Sequence, residues 1–436
     1  MSSRQWVPRL GLAAALAGLG CGWGAGAAQA AGFGLYEQGA RALGMAGAFT
    51  AGTDDPTAIF FNPAGLARVR GNGLVLSPNF IYLKTEFAGV NPYPGYGTHE
   101  ATKTKVFPPF AAYYARSFGS ATAAGVGIYS PYGLETAWDS EDSFSGRFVS
   151  ARAKISPFYF SPTLAHEISP KVRLGAGVNL VWSKLLLRRH LPAYDPFVNS
   201  TVDIGTVQLE SDYNFGAGFN LGVQVWPAER WRLGLAYRSR VAIDYTGSAD
   251  FTRTPTGSAE FDAVVAAGFP PDQGVRTSLT FPAQGSLGVG CQATPRLYLE
   301  TNLNLTWWNE FGELRIDFDE TPSRNSVVPQ NWENALNWRS GLEFHRTPES
   351  NWTWRGGYYF DKSPQPSEGV GPLLPDVDRH GLSGGVGWLH GNTMVDGYLL
   401  VLLTSDRSTE GVNRDNFNGT YSTATVIGGL SLGLRF

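Results

Sequence analysis

Cysteine is almost missing from the 436 residues. Cys21 and Cys291 are the only two, and Cys21 lies in a segment expected to be removed, so neither a disulfide framework nor a Cys-rich metal site is available. Charge is scarce as well: 16% of residues are Asp, Glu, Lys or Arg, against about 25% in an average soluble domain, so the usual solvated exterior is incomplete. The 34 basic and 37 acidic side chains make no basic field, which excludes nucleic acid as a partner. A mean hydropathy of -0.15 excludes a bundle of membrane helices. The six histidines, at 99, 166, 190, 345, 380 and 390, do not form the H-E-x-x-H pattern, and no phosphate-loop or dinucleotide fingerprint is present. No cofactor is implied.

What is plentiful is glycine (54), proline (27) and aromatic residues (13%). With 43% hydrophobic residues, that composition rules out a disordered or coiled-coil chain.

Residues 1–30 read as a secretory signal peptide. Arg4 and Arg9 precede the apolar stretch Leu10 to Leu19, and Ala28-Gln29-Ala30 supplies the small-residue cleavage site, with the cut after Ala30. The apolar stretch is too short for a membrane anchor, and Gly18-Leu19-Gly20 suits a lipoprotein start at Cys21 poorly. Removing Arg4 and Arg9 leaves 32 basic against 37 acidic residues.

The rest of the chain alternates with period two. Val172, Leu174, Ala176, Val178, Leu180 and Trp182 face away from Arg173, Gly175, Gly177 and Asn179. Phe215 to Val225, Leu297 to Trp307 and Leu430 to Phe436 repeat the pattern. Runs of about ten residues with apolar-out, polar-in alternation suit a tilted strand crossing a hydrocarbon layer in a closed barrel. Tyr113-Tyr114, Trp307-Trp308, Trp352, Trp354 and Tyr358-Tyr359-Phe360 are expected in interfacial girdles. Glycine-, proline- and asparagine-rich stretches at 90–104, 191–206, 249–274 and 369–377 read as loops, most of them extracellular. The expected fold is an all-β transmembrane antiparallel barrel over residues 71–436.

Residues 31–70 break the alternation. Gly39 to Gly47 is a run of small residues, and Asp54-Asp55-Pro56 and Asn62-Pro63 mark turns around Thr57 to Phe61. Such a segment suits close packing inside a barrel lumen as a hatch, or plug.

On these residues the sequence resembles the FadL/TodX family of outer-membrane long-chain fatty acid and hydrocarbon transporters. Ala31-Gly32-Phe33 matches the start of mature members, and the Gly/Ala-rich run ends in Asn62-Pro63-Ala64. Tyr129 to Leu134, Leu174 to Asn179, Tyr237-Arg238-Ser239, Asn351 to Arg355, Asp361 to Pro364 and Pro375 to Arg379 extend the similarity over nearly the whole mature chain. The resemblance implies a barrel of about 14 strands plugged by a hatch of about forty residues. It also implies a monomer in a Gram-negative outer membrane, whose lipid and lipopolysaccharide surround it. By the same resemblance, long-chain fatty acids or other hydrophobic compounds are expected to enter from outside and leave sideways into the bilayer. The terminal Phe436 is the expected signal to the barrel assembly machinery.

The resemblance also assigns residues. The family's third strand is kinked and opens a gap, here at Pro131-Tyr132-Gly133, where proline and glycine mark a bend. Ser130 and Arg189 map onto the family's fatty-acid head-group residues, and a third cation, a lysine, has no clear counterpart before Trp338-Arg339. Asn62, Pro63 and Ala64 are expected to couple ligand binding to hatch movement. On the residues alone, Pro131 also reads as a loop end, Arg189 as an exposed strand-end arginine and Asn62 to Ala64 as a static turn. Neutral aromatic or alkane hydrocarbons are the alternative cargo. A general diffusion porin is a further rival, which would need no plug. An outer-membrane hydrolase built on Asp376, Asp378 and His380, alternating on one strand side, is another.

Overall fold

The computed structural model describes residues 32–436; the leader, its cut site and Ala31 lie outside the described residues. From residue 72 onward the chain forms one antiparallel barrel of 14 strands. The strands are β1 (Asn72–Gly89), β2 (His99–Ala101, Lys105–Phe107, Phe110–Phe118), β3 (Thr122–Tyr129, Leu134–Ala137), β4 (Arg152–Ser169) and β5 (Val172–Asp195). They continue as β6 (Ser200–Ser211, Asn214–Ala228), β7 (Trp231–Arg238, Val241–Arg253), β8 (Gln273–Phe281, Gln284–Thr294), β9 (Leu297–Thr306, Glu313–Phe318) and β10 (Ser326–Pro329, Ala335–His345). The last four are β11 (Trp352–Asp361), β12 (Arg379–His390), β13 (Thr393–Thr404, Arg407–Ser408) and β14 (Gly419–Arg435). Closure comes from β1 pairing β14, from Gly73↔Arg435 to Gly89↔Gly419, which removes the open edges a membrane cannot tolerate. Among the described residues no helix is long and apolar enough to cross a membrane.

The alternation has the expected sense. Leu174 and Val178 of β5 are exposed on the outside, while Arg173 and Asn179 on either side of them are buried inside. The aromatic pairs divide between the two sides. Trp352 and Trp354 face outward as a girdle requires, but Tyr113, Trp308 and Tyr359 are buried in the interior. A pair of adjacent residues on a strand must point to opposite faces, so each doublet puts one ring in the core.

Two expected loops hold regular structure, one largely strand and the other a strand end followed by a helix. In 191–206, β5 runs on to Asp195 and β6 starts at Ser200; in 249–274, β7 reaches Arg253 and a helix, Ala259–Gly268, follows. Ladders continue above the lipid, where the apolar signal ends but hydrogen bonding does not.

Residues 32–70 lie inside the barrel. They contain α1 (Ala40–Gly44), α2 (Ala58–Phe61) and a 3-10 turn (Pro63–Arg68), and nearly every residue from Ala42 to Phe61 is buried. The lumen faces of several strands are glycine because the inner backbone presses on them. A Cβ on Gly175 or Gly222 would strike Pro63 or Asn62, and one on Gly341 or Gly357 would strike Met45 and Ala46. Charge fixes the other side: Arg41 meets Asp54 at 2.6 Å, Asp55 at 3.2 Å and Glu343 at 3.1 Å. Arg355 bonds Glu343 at 2.8 Å and Asp396 at 2.6 Å.

Candidate functional site: a cavity behind an opening in the wall

The β2–β3 ladder runs from Phe118↔Thr122 to Ala112↔Ile128 and stops there. It resumes only where Lys103 N donates to Ala137 O at 2.8 Å and Thr102 bridges Trp138. Between these points β2 pairs with β1 and β3 with β4, and among the described residues no ladder pair links 104–111 to 129–136. Each strand has its own cause. Pro108 and Pro109 interrupt β2, and Pro131 interrupts β3, because proline brings no N–H to a ladder.

The inner segment takes up the freed backbone groups. Leu35 N donates to Pro131 O at 2.8 Å, Gly133 N donates to Phe33 O at 2.9 Å, and Gly34 bridges Tyr132. The Gln38 side chain donates to Ser130 O at 2.7 Å. Tyr132 is buried, with its hydroxyl donating to Pro282 O at 2.7 Å. Thus Ser130 to Gly133 form a bend turned into the lumen and paired with the chain that the opening exposes.

Behind the opening is a cavity of about 370 Å³. Phe33, Leu35, Phe107, Leu134, Leu402 and Ile427 give it an apolar lining; Gly133 is at its wall, and Lys103, Lys105, Glu135 and Lys154 stand on the side of the gap. Lys105 Nζ reaches across the opening to Glu135 at 2.6 Å. At the inner end Arg339 lies between Tyr36 and Tyr359, 4.0 and 4.3 Å from the ring centroids. Its Nη1 donates to Ala46 O at 3.0 Å, and its buried Nε has no partner.

Phe33 fills an aromatic box beside this cavity. Trp308 is 4.7 Å away by ring centroid, Phe311 and Trp332 5.7 Å, Tyr132 6.0 Å and Phe281 6.2 Å. Asp376 in the 362–378 loop accepts from Gly32 N at 3.1 Å and pairs with Arg379 at 3.0 Å. Burial raises the Asp376 carboxyl above its ordinary range against the pull of Arg379. Burial pushes Asp378 up to about 6.

The expected site residues do not all converge. Gly133 lines the cavity, while Ser130 reaches the inner segment only through its carbonyl. Arg189 is exposed on β5, among none of the cavity linings described, and enters no ion pair among the described residues. Asn62 is buried at a distance, donating to Thr50 O at 2.8 Å and Val223 O at 3.0 Å and accepting from Ala64 N. Asp376, Asp378 and His380 do not alternate on one strand, since β12 begins only at Arg379 and His380 turns to the Tyr358 hydroxyl at 2.7 Å. Sequence reading missed the Pro108-Pro109 break, the aromatic box and Arg339 in the cavity; the proline doublet between alternating runs was the readable signal.

The sequence profile described as outer membrane protein transport protein (OMPP1/FadL/TodX) matches residues 22–436. The chain belongs to this family. Its OMPP1/FadL/TodX relatives include outer membrane protein P1 of Haemophilus influenzae, 26% identical, with 81% of this chain and 82% of that one covered. A long-chain fatty acid transport protein of Salmonella typhi is 24% identical over 60% of this chain and 61% of its own length. By fold it matches a Pseudomonas aeruginosa FadL homologue, with TM-score 0.81, 20% identity and coverage of 93% and 100%. The Ralstonia pickettii toluene transporter TbuX gives TM-score 0.68, 19% identity and coverage of 92% and 99%. As an OMPP1/FadL/TodX member the protein is a multi-pass outer-membrane transport protein for hydrophobic compounds, not an enzyme.

Proposed function

We propose that the protein carries long-chain fatty acids or related hydrophobic compounds passively across the outer membrane, releasing them sideways between β2 and β3. The observation that carries this reading is the apolar cavity standing directly behind a stretch of wall without ladder bonds. An apolar molecule gains nothing from a watery pore, since exposing it costs about 25 cal/mol per Å²; a dry path ending in lipid avoids that cost. Ligand entry displaces residues Phe33 to Leu35, whose bonds to Pro131 and Gly133 close the bend from inside. Asn62, Pro63 and Ala64 serve as the fixed pivot, tied to β6 by the Asn62 bond to Val223 O. Relatives named as long-chain fatty acid transport proteins support the cargo class. For an acidic cargo Arg339, which lines the cavity, is the head-group cation, in preference to the exposed Arg189.

The aromatic box around Phe33 favours a second cargo, a neutral aromatic ring, and a neighbour solved as a toluene transporter is in keeping with it. The test is uptake of labelled fatty acid and labelled toluene by cells producing Gly133→Phe. A ring there fills the cavity wall against Leu35, so uptake of both falls while the barrel keeps its folded mobility on a gel. Unchanged uptake in a folded variant sinks lateral release. Arg339→Gln separates the cargoes: fatty acid uptake falls and toluene uptake does not, while Arg189→Ala changes neither.

A further inference from the structure

The outer face of β2 to β5 carries a concentration of cations just above an aromatic belt. On β4, Arg152 and Lys154 share the outward face with the exposed Phe158 and Phe160. On β5, Lys184 and Arg188 share the face of Trp182 and Val178. Phe158 stacks on Trp182 at 5.3 Å, and Tyr213 and Phe215 complete the belt. Rings in this position mark the boundary between hydrocarbon and head groups. The register puts Ser156 opposite Lys184, Lys154 opposite Leu186 and Arg152 opposite Arg188, one, two and three outward-facing steps above that boundary. Because β5 leaves the short 170–171 turn at Val172 and runs toward the long-loop end, these cations stand at the level of the outer leaflet's head groups.

The carboxylates present do not neutralise the cluster. Glu135 alone receives Lys105 at 2.6 Å, Arg152 at 3.2 Å and Lys154 at 3.6 Å. Glu141 receives Lys103 at 2.6 Å and Arg188 at 2.9 Å, and Asp142 adds a second bond to Arg188. Five cations therefore share three carboxylates, an excess of two positive charges. The buried Nε of Arg152 is left without a partner. Lys184 is matched separately by Glu210 at 2.6 Å. On the opposite side, β7 to β9, the exposed charges are of both signs, Arg240, Asp244, Asp250, Arg253, Arg276, Glu313 and Arg315, and Arg276 and Arg315 are each paired with an aspartate.

We propose that this patch binds the phosphate group of a phosphorylated outer-leaflet glycolipid, seating it beside the lateral opening. A phosphate monoester carries about −1.5 to −2 charge near neutral pH and three acceptor oxygens, which matches the excess of two positive charges. The acyl chains of such a lipid lie against Phe158, Phe160 and Trp182. Lys105 and Lys154 also border the cavity, so the bound head group stands at the exit. The inference rests on the outward charge and the belt, not on what the cavity carries, and uptake is not its readout.

The test is equilibrium binding of bisphosphorylated lipid A to the folded protein in detergent micelles, with fully dephosphorylated lipid A and inorganic phosphate as comparisons. The triple variant Arg152→Gln, Lys154→Gln, Arg188→Gln is expected to bind about 100-fold more weakly, at about fivefold for each cation near a charged surface. Arg276→Gln with Arg315→Gln is expected to bind as the parent does. Binding should weaken with added salt, and dephosphorylated lipid and inorganic phosphate should compete poorly. Equal binding by a folded triple variant, equal binding of the dephosphorylated lipid, or displacement by inorganic phosphate at matching concentration would each overturn the proposal.

Discussion

At the scale of single residues, the most informative positions are those where a side chain is missing. Gly222 on β6 leaves room for the Asn62 side chain and Pro63, so the inner turn can sit within hydrogen-bond reach of the Val223 carbonyl. Gly222→Ala forces that turn off the wall, and overpacking of this kind costs about 1–3 kcal/mol. Gly384 on β12 is a matched control, because a Cβ there meets nothing within 4 Å. Denaturant unfolding from micelles should show the loss for Gly222→Ala and none for Gly384→Ala; equal stability of both would mean the inner segment packs without depending on that contact. This residue-level logic was only half legible in sequence. Alternation separated the glycine face from the apolar face, but not the reason for glycine, which is the inner backbone arriving from more than a hundred residues away. Arg189 shows the same limit. Its place after Leu185-Leu186-Leu187 was readable, whereas its distance from the bend at Ser130 depends on how far β5 rises before it ends at Asp195.

At the scale of elements, strand identity was legible and strand extent was not. Apolar alternation reports the lipid-crossing part alone, so runs of about ten residues were expected where β5 has 24 residues and β4 has 18. The bend in β3 was visible as Ser130-Pro131-Tyr132-Gly133, while its counterpart in β2 went unread although Pro108-Pro109 has the same physics. The 362–378 loop adds an element that composition marked simply as a loop. Leu374 to Val377 of this loop line the cavity, and burial, which disfavours the charge, pushes Asp378 at its end up to about 6. An unfolded aspartate titrates near ~3.9. Between these values the docked loop holds a proton that the undocked loop has released, so docking is strongest at acid pH and weakens as pH rises toward about 6. Asp376, raised in the same direction, adds to the trend. Hydrogen-exchange protection of the 362–378 amides should therefore be greater at about pH 4.5 than at about pH 7.5, and Asp378→Asn should reduce the difference. Protection that grows with pH would assign the loop's docking to its ion pairs instead.

At the scale of the whole molecule, closing the wall and packing the inner segment within it are two separate achievements. The barrel closes through backbone bonds between β1 and β14 that need no particular side chains, which is why alternation, taken with strand length, the leader and the terminal Phe436, was enough to expect it. The inner segment is held by side chains scattered over the chain: Asn62 and Gln224 on one side, and on the other the lattice of Arg41, Asp54, Asp55, Glu343, Arg355 and Asp396. No local pattern announces a lattice whose members are 302 residues apart. Arg41 is its hub, and removing one partner of a buried ionic cluster costs about 3–5 kcal/mol, chiefly by leaving the opposite charges uncompensated. In Arg41→Met the carboxylates of Asp54, Asp55 and Glu343 lose their common cation and draw water into the lumen, while the β-ladders are untouched. The expected result is a folded barrel through which small sugars now leak in a liposome swelling assay, with the wild-type protein tight. If Arg41→Met stays folded and tight, the glycine-lined packing on the opposite wall is enough to plug the barrel, and the ion lattice serves to orient the inner segment.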